Sequence, residues 1–138
     1  MKPQILVAAS AVIALLLGIL HLAYTFFTGK LRPRDDELES SMRQVSPRIT
    51  SQTTMWRAWI GFNASHSIGI ISFGAIYAYL SLFAWTLLIH SAFLVGVGIA
   101  FFVSYLILAK LYFFRNPLIC IALAAALYVL GIVTGAAR

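Results

Sequence analysis

Charge is what this chain has least of. Only 10% of its 138 residues are Asp, Glu, Lys or Arg, against about 25% in an ordinary soluble domain. All four acids, Asp35, Asp36, Glu37 and Glu39, fall within five positions of one polar stretch. No apolar segment therefore carries a carboxylate, and the histidines do not have the spacing of a zinc or di-iron motif. Cysteine is as scarce. Cys120 is the only one and lies in an apolar run, so an intrachain disulfide and a Cys-rich metal motif are both excluded. A lone cysteine in such surroundings reads as a small hydrophobe. The chain has no G-x-S-x-G elbow and no P-loop. Ser65-His66-Ser67 is not a catalytic dyad, because helical neighbours at i, i+1 point in different directions.

What the chain has is apolar length: 62% of its residues are hydrophobic. They gather into four stretches, the signature of an integral membrane protein. The first runs from about Gln4 to Phe27. At ~1.5 Å per residue its 24 or so residues reach ~36 Å, enough to cross a ~30 Å hydrocarbon core with tilt. That is too long for the h-region of a signal peptide, and no small-residue cleavage site follows it. The second stretch is about Trp56 to Leu82 and the third about Ala84 to Leu111, with a poorly marked boundary at Ser81-Leu82-Phe83-Ala84-Trp85. Arg115-Asn116-Pro117 reads as a turn with Pro placed to start a helix. The fourth stretch is about Leu118 to Ala136. These sequence features predict an all-α protein, an integral membrane four-helix bundle forming one domain over residues 1–138.

Between the first two stretches lies the polar segment 28–55. Leu38, Met42, Val45 and Ile49 recur there at spacings of four, three and four, one apolar stripe on a helix. The acids come early and Arg43 late, as the helix dipole favours, and Ser46-Pro47 ends or kinks the pattern. This predicts an amphipathic loop helix on the membrane surface, with an ordinary solvated loop as the alternative.

The bases set an orientation. Lys30, Arg32, Arg34, Arg43, Arg48, Arg57, Lys110 and Arg115 fall on one side of the membrane, Lys2 and Arg138 on the other. The positive-inside bias places the loop in the cytoplasm and both termini in the periplasm of an inner (plasma) membrane. The net charge of +6 arises from bases flanking apolar spans and not from a soluble basic face, so nucleic acid is excluded as a partner. Membrane lipids are the expected partners, with a homo-oligomer or another membrane protein as further possibilities.

Small residues spaced by four let helices approach closely in lipid. They occur as Ser10/Ala14/Gly18, Gly61/Ser65/Gly69, Ala92/Gly96/Ala100/Ser104 and Gly131/Gly135. Polar residues at membrane depth are rarer and mark candidate sites. His21 lies six residues, ~9 Å, inside the cytoplasmic end of the first span, and His66 lies ten residues, ~15 Å, inside the second. Asn63 is three residues before His66 and shares its face, and Trp59 continues that face outward. The same layer holds Ser104 and Tyr105 on the third span. Tyr24 sits one turn outside His21, and Arg57 marks the cytoplasmic mouth. His90, ~30 Å along its span, lies outside the cluster. Trp56, Trp59 and Trp85 fit an aromatic belt.

Four readings of this layer stand open. Asn63, His66, His21 and the serines hydrogen-bond across helices and fix the bundle register. His21 and His66 serve as proton donor and acceptor toward a quinone, isoprenoid or sterol-like molecule, with Tyr24, Arg57, Trp59, Asn63, Ser104 and Tyr105 lining the pocket. The two histidines are axial haem ligands. The layer is a proton or solute path. The first is preferred, as a non-catalytic binding or assembly role, with no cofactor expected and enzymatic activity left open.

His21-Leu22-Ala23-Tyr24-Thr25-Phe26, Ser46-Pro47-Arg48-Ile49-Thr50 and Trp56-Arg57-Ala58-Trp59-Ile60-Gly61-Phe62-Asn63-Ala64-Ser65-His66-Ser67 carry a resemblance. They are similar to a family of small, uncharacterised bacterial four-span membrane proteins with a W-x-x-W-x-G-F-N-x-S-H-S motif. The resemblance covers the first half of the chain. It implies the fold class and the membrane location, and assigns no catalytic residue.

Overall fold

Proline and short polar side chains stand at most of the helix starts of this protein. The computed structural model describes residues 2–137, so Arg138, one of the two outer-side bases, lies outside the described residues. Six helices make up the described chain, with no strand among them: α1 (Pro3–Phe27), α2 (Asp36–Gln44), α3 (Met55–Phe83), α4 (Trp85–His90), α5 (Ala92–Tyr112) and α6 (Arg115–Ala136). Four of these, α1, α3, α5 and α6, are long and apolar enough to cross a membrane. Pro3 opens α1, where its missing N–H is one of the unpaired donors of a helix start in any case. Pro117 is likewise tolerated in the first turn of α6. The helix therefore begins at Arg115 and absorbs the expected turn at Arg115-Asn116-Pro117, while the extended residues Phe113 and Phe114 make the connection.

The stretch expected as one span from Ala84 to Leu111 is broken. Ser91 is extended (φ −94°, ψ 100°), and its hydroxyl accepts from the Leu94 N–H at 3.3 Å. Serine is a strong N-cap because its oxygen satisfies a donor that the helix cannot. A new helix thus starts at Ala92, and α4 is left as six residues. α5 alone has 21 residues, ~32 Å at 1.5 Å rise, which suffices to span without α4.

α2 is shorter than its apolar stripe. Asp35 caps it, accepting from Glu37 N–H at 2.9 Å and Leu38 N–H at 3.4 Å. Arg43 pairs with Glu39 at 2.6 Å, one turn apart. Val45 is already extended, and Pro47 bars a resumption of the helix, since it disfavours the α region at Ser46 and has no N–H to donate. Val45 and Ile49 therefore leave the helix, and only Leu38 and Met42 of the stripe lie on it.

Packing divides the described residues into two compact units. One joins the chain up to Leu17 with the chain from Ile70 onward, and the other is Gly18–Gly69. In the first unit, Tyr128 of α6 is 1% exposed and is wrapped by aromatic neighbours. Its ring centroid lies 5.4 Å from Phe102 and 6.0 Å from Tyr77. Phe73 stacks on Phe101 and on Tyr77, which builds α3 onto α5. Hydroxyls in this apolar interior must find carbonyls. Tyr77 donates to Leu94 at 2.6 Å, Tyr128 to Val95 at 3.1 Å, and Ser10 to Ala124 at 2.6 Å.

Close approach also uses glycine. The Tyr128 ring fills the space where Gly98 would carry a Cβ, and Trp85 fills that of Gly135. Spacing alone misassigns part of this packing. Ser10, Ala14 and Gly18 are buried, and Gly131 meets Val7. The Ala92/Gly96/Ala100/Ser104 face of α5 is exposed, as are Gly61, Ser65 and Gly69 of α3. α5 packs through Gly98, Phe102 and Ala109 instead, because large aromatic partners select a face that small-residue spacing does not report.

Candidate functional site

The polar residues of the second unit form a linked chain of hydrogen bonds. Its starting point is Asn63, 8% exposed on α3. The Asn63 side-chain Nδ2 donates to the Trp59 carbonyl at 2.8 Å, one turn earlier. A carbonyl only accepts, so this contact fixes the amide with Oδ1 facing α1. There it lies 3.1 Å from His21 Nε2. Oδ1 also only accepts, so His21 carries its proton on Nε2 and, when neutral, Nδ1 is the ring's acceptor. Trp59 extends the chain outward, its indole Nε1–H donating to the Leu31 carbonyl at 3.0 Å. The last turns of α1, the first turns of α3 and the start of the loop are thereby tied together.

His66 meets His21 edge-on, with ring centroids 5.3 Å apart and planes at 72°. The two imidazoles and the amide thus share one layer, at the spacing of three residues that puts Asn63 and His66 on one helix face. This arrangement does not fit haem. Two axial histidines need the porphyrin plane between their rings, and an edge-to-face contact leaves no such slot. His21 Nε2 is moreover held by Asn63. Among the described residues no group of three or more His, Cys, Asp or Glu is placed to hold a metal ion.

Each of the other candidates has its own surroundings within its unit. Tyr24 turns to the loop, where Lys30 Nζ donates to its hydroxyl at 3.2 Å and lies 4.3 Å from its ring centroid. It is Thr25, buried and donating to the His21 carbonyl at 2.8 Å, that sits against the His21 turn. Arg57 is exposed, its N–H capped by Thr54 at the start of α3. Ser104 and Tyr105 belong to the first unit, where Ser104 is exposed and Tyr105 stacks on Phe101 at 4.4 Å. His90 also belongs there, donating from Nδ1 to the Thr86 carbonyl at 3.0 Å. The serines flanking His66 bond back to their own helix, Ser65 to Phe62 and Ser67 to Asn63.

Two features of this unit were not legible in the sequence. The carbonyl of Leu31 carries no side-chain signal, yet it anchors Trp59. Arg43 lies over Trp56 at 4.4 Å, a contact thirteen residues apart along the chain that no local periodicity encodes. No protein-family model, curated protein or solved structure matches this chain. The residues themselves carry the functional reading.

Proposed function

We propose that this is a multi-pass inner-membrane protein, a four-helix bundle of the bacterial four-span family that its Trp56–Ser67 run resembles, with a non-catalytic binding or assembly role. The observation that carries the membrane reading is the exposure of apolar surface. No more than 39% of the apolar stretch of any of the four long helices is buried, and Leu16, Phe93, Ile107 and Val133 are each more than half exposed. A water-soluble monomer rarely shows apolar patches beyond a few hundred Å², whereas lipid is a solvent for such faces. The charges of the four helices, Arg57, Lys110 and Arg115, all lie at their ends, and the excess of eight bases over two supports a cytoplasmic loop. A periplasm-active phosphatase fused after Ala137 is expected to be active, and the same enzyme inserted at Gly29 inactive. The reverse pattern would overturn the orientation.

The non-catalytic reading rests on satisfaction of the polar layer. No buried side-chain nitrogen or oxygen among the described residues lacks a hydrogen-bond partner, which suits groups that hold helices together. Catalysis or binding on a lipid-soluble molecule is the competing reading, and native mass spectrometry from mild detergent separates the two. Wild type and His66→Gln are expected to give the same spectrum of bound small molecules. A quinone- or isoprenoid-sized adduct lost only in His66→Gln would replace the structural reading with a ligand site.

A further inference from the structure

The loop end of the second unit holds a cleft of about 190 Å³. Phe26, Leu31, Trp56 and Ile60 make its apolar wall, and Arg32 and Arg43 supply its charge. The two arginines are in different states. Arg43 is committed, with Nη2 2.6 Å from the Glu39 carboxylate and its guanidinium carbon 4.4 Å from the Trp56 ring centroid. Arg32 stands in a tight turn made by its N–H and the Gly29 carbonyl. The ion pair of Arg43 with Glu39 is the only one among the described residues, so the Arg32 charge is not matched. Asp36 shares an adjoining groove with Arg32 without closing a pair. The cleft therefore joins one surplus positive charge to an apolar wall.

Its size limits the occupant. Sites that enclose drug-sized ligands run about 300–1,000 Å³, so this one takes a small anionic group and not a whole amphiphile. Phe26 and Phe27, 56% and 84% exposed on the last turn of α1 beside the cleft, supply an apolar surface leading away from it. Aromatic residues at the end of a spanning helix belong at the headgroup level of a bilayer. We infer that the cleft seats the phosphodiester headgroup of an anionic membrane lipid. Arg32 grips the phosphate as a planar fork, the Arg43–Trp56 pair forms a fixed wall, and the acyl chains run along Phe26 and Phe27. This site deepens the membrane-protein reading and depends on it for the bilayer that supplies the lipid.

The test uses the full chain, extracted in mild detergent from nanodiscs of equal phosphatidylglycerol and phosphatidylcholine, with retained lipid counted by native mass spectrometry. Wild type is expected to keep phosphatidylglycerol in preference. Arg32→Gln should reduce that retention about tenfold, the worth of a charge-assisted contact, and Arg32→Lys by less. Arg34→Gln removes a neighbouring loop charge that does not line the cleft and should change retention less than about twofold, as a diffuse surface charge does. Equal losses in Arg32→Gln and Arg34→Gln, or no headgroup preference in wild type, overturn the site. Soluble glycerol phosphate titrated into wild type provides a readout that needs no variant. Displacement as effective as that by phosphatidylglycerol would make a free phosphate ester the ligand and overturn the lipid assignment. Carbonate washing of cell membranes separates the two levels. A chain released by it fails the membrane reading, whereas a chain that stays and shows no preference fails only the headgroup site.

Discussion

Gly74→Ala is expected to destabilise the first unit by about 2 kcal/mol, and Gly96→Ala to leave it unchanged or slightly more stable. Both glycines sit inside long helices, where alanine has the better intrinsic propensity by about 1 kcal/mol. Their surroundings differ. A Cβ on Gly74 would fall 2.7 Å from the Leu15 nitrogen and 2.8 Å from the Ala11 carbonyl oxygen, whereas a Cβ on Gly96 meets nothing within 4 Å. Backbone cannot rotate out of the way as a side-chain tip does, so α1 and α3 would have to separate. Overpacking of this kind costs about 1–3 kcal/mol, sometimes more, and outweighs the propensity gain. Thermal unfolding of both variants in one detergent measures the difference. Equal shifts would show that the α1–α3 approach at Gly74 does not hold. A loss at Gly96 would show that another helix covers the Ala92/Gly96/Ala100/Ser104 face, as a homo-oligomer would.

Asn63→Leu is the second large effect. Leucine removes the acceptor of His21 Nε2–H and the donor to the Trp59 carbonyl in one step. Leaving a buried donor unmet costs about 1–3 kcal/mol, while an interhelical hydrogen bond in a membrane is worth about 0.6 kcal/mol on average and about 1.7 at most. The single variant is therefore expected to lose about 1–2 kcal/mol, more than the bond itself is worth. A double-mutant cycle of Asn63→Leu with His21→Phe isolates the bond and should return a coupling of about 0.6–1.7 kcal/mol. A coupling of zero would remove the hydrogen bond as a stabilising contact. Nitrogen chemical shifts of His21 give an independent check, since the network requires the Nε2–H tautomer.

The candidate site was legible to unequal degrees, for a physical reason. Counting residues from the cytoplasmic ends measures depth along a helix axis, and His21, Asn63 and His66 are polar at closely matching depths on α1 and α3. Depth does not give direction around the axis. Tyr24 is one turn from His21 and points to Lys30, while Thr25, one residue on, lies against the His21 turn. The cleft is less legible still. Arg43 and Trp56 meet only because the loop folds back, with Met55 N–H donating to the Val45 carbonyl at 2.8 Å, and Arg32 differs from Arg34 only in what surrounds it.

By itself the sequence determined the all-α class, the four long apolar helices and the uneven placement of its charges. Apolar length and charge are properties of a segment and need no partner to be read. The tertiary structure alone decided which face of each helix is covered. Ser91 breaks the third stretch through a local cap inside unbroken apolar sequence. Gly98 and Gly74 are chosen over equally small residues because Tyr128 and the α1 backbone reach them. Asn63 acquires its orientation, and His21 its tautomer, only when a carbonyl one turn away fixes the amide. Each of these depends on atoms that converge in space from separate helices or turns, and residue type and spacing do not record that convergence.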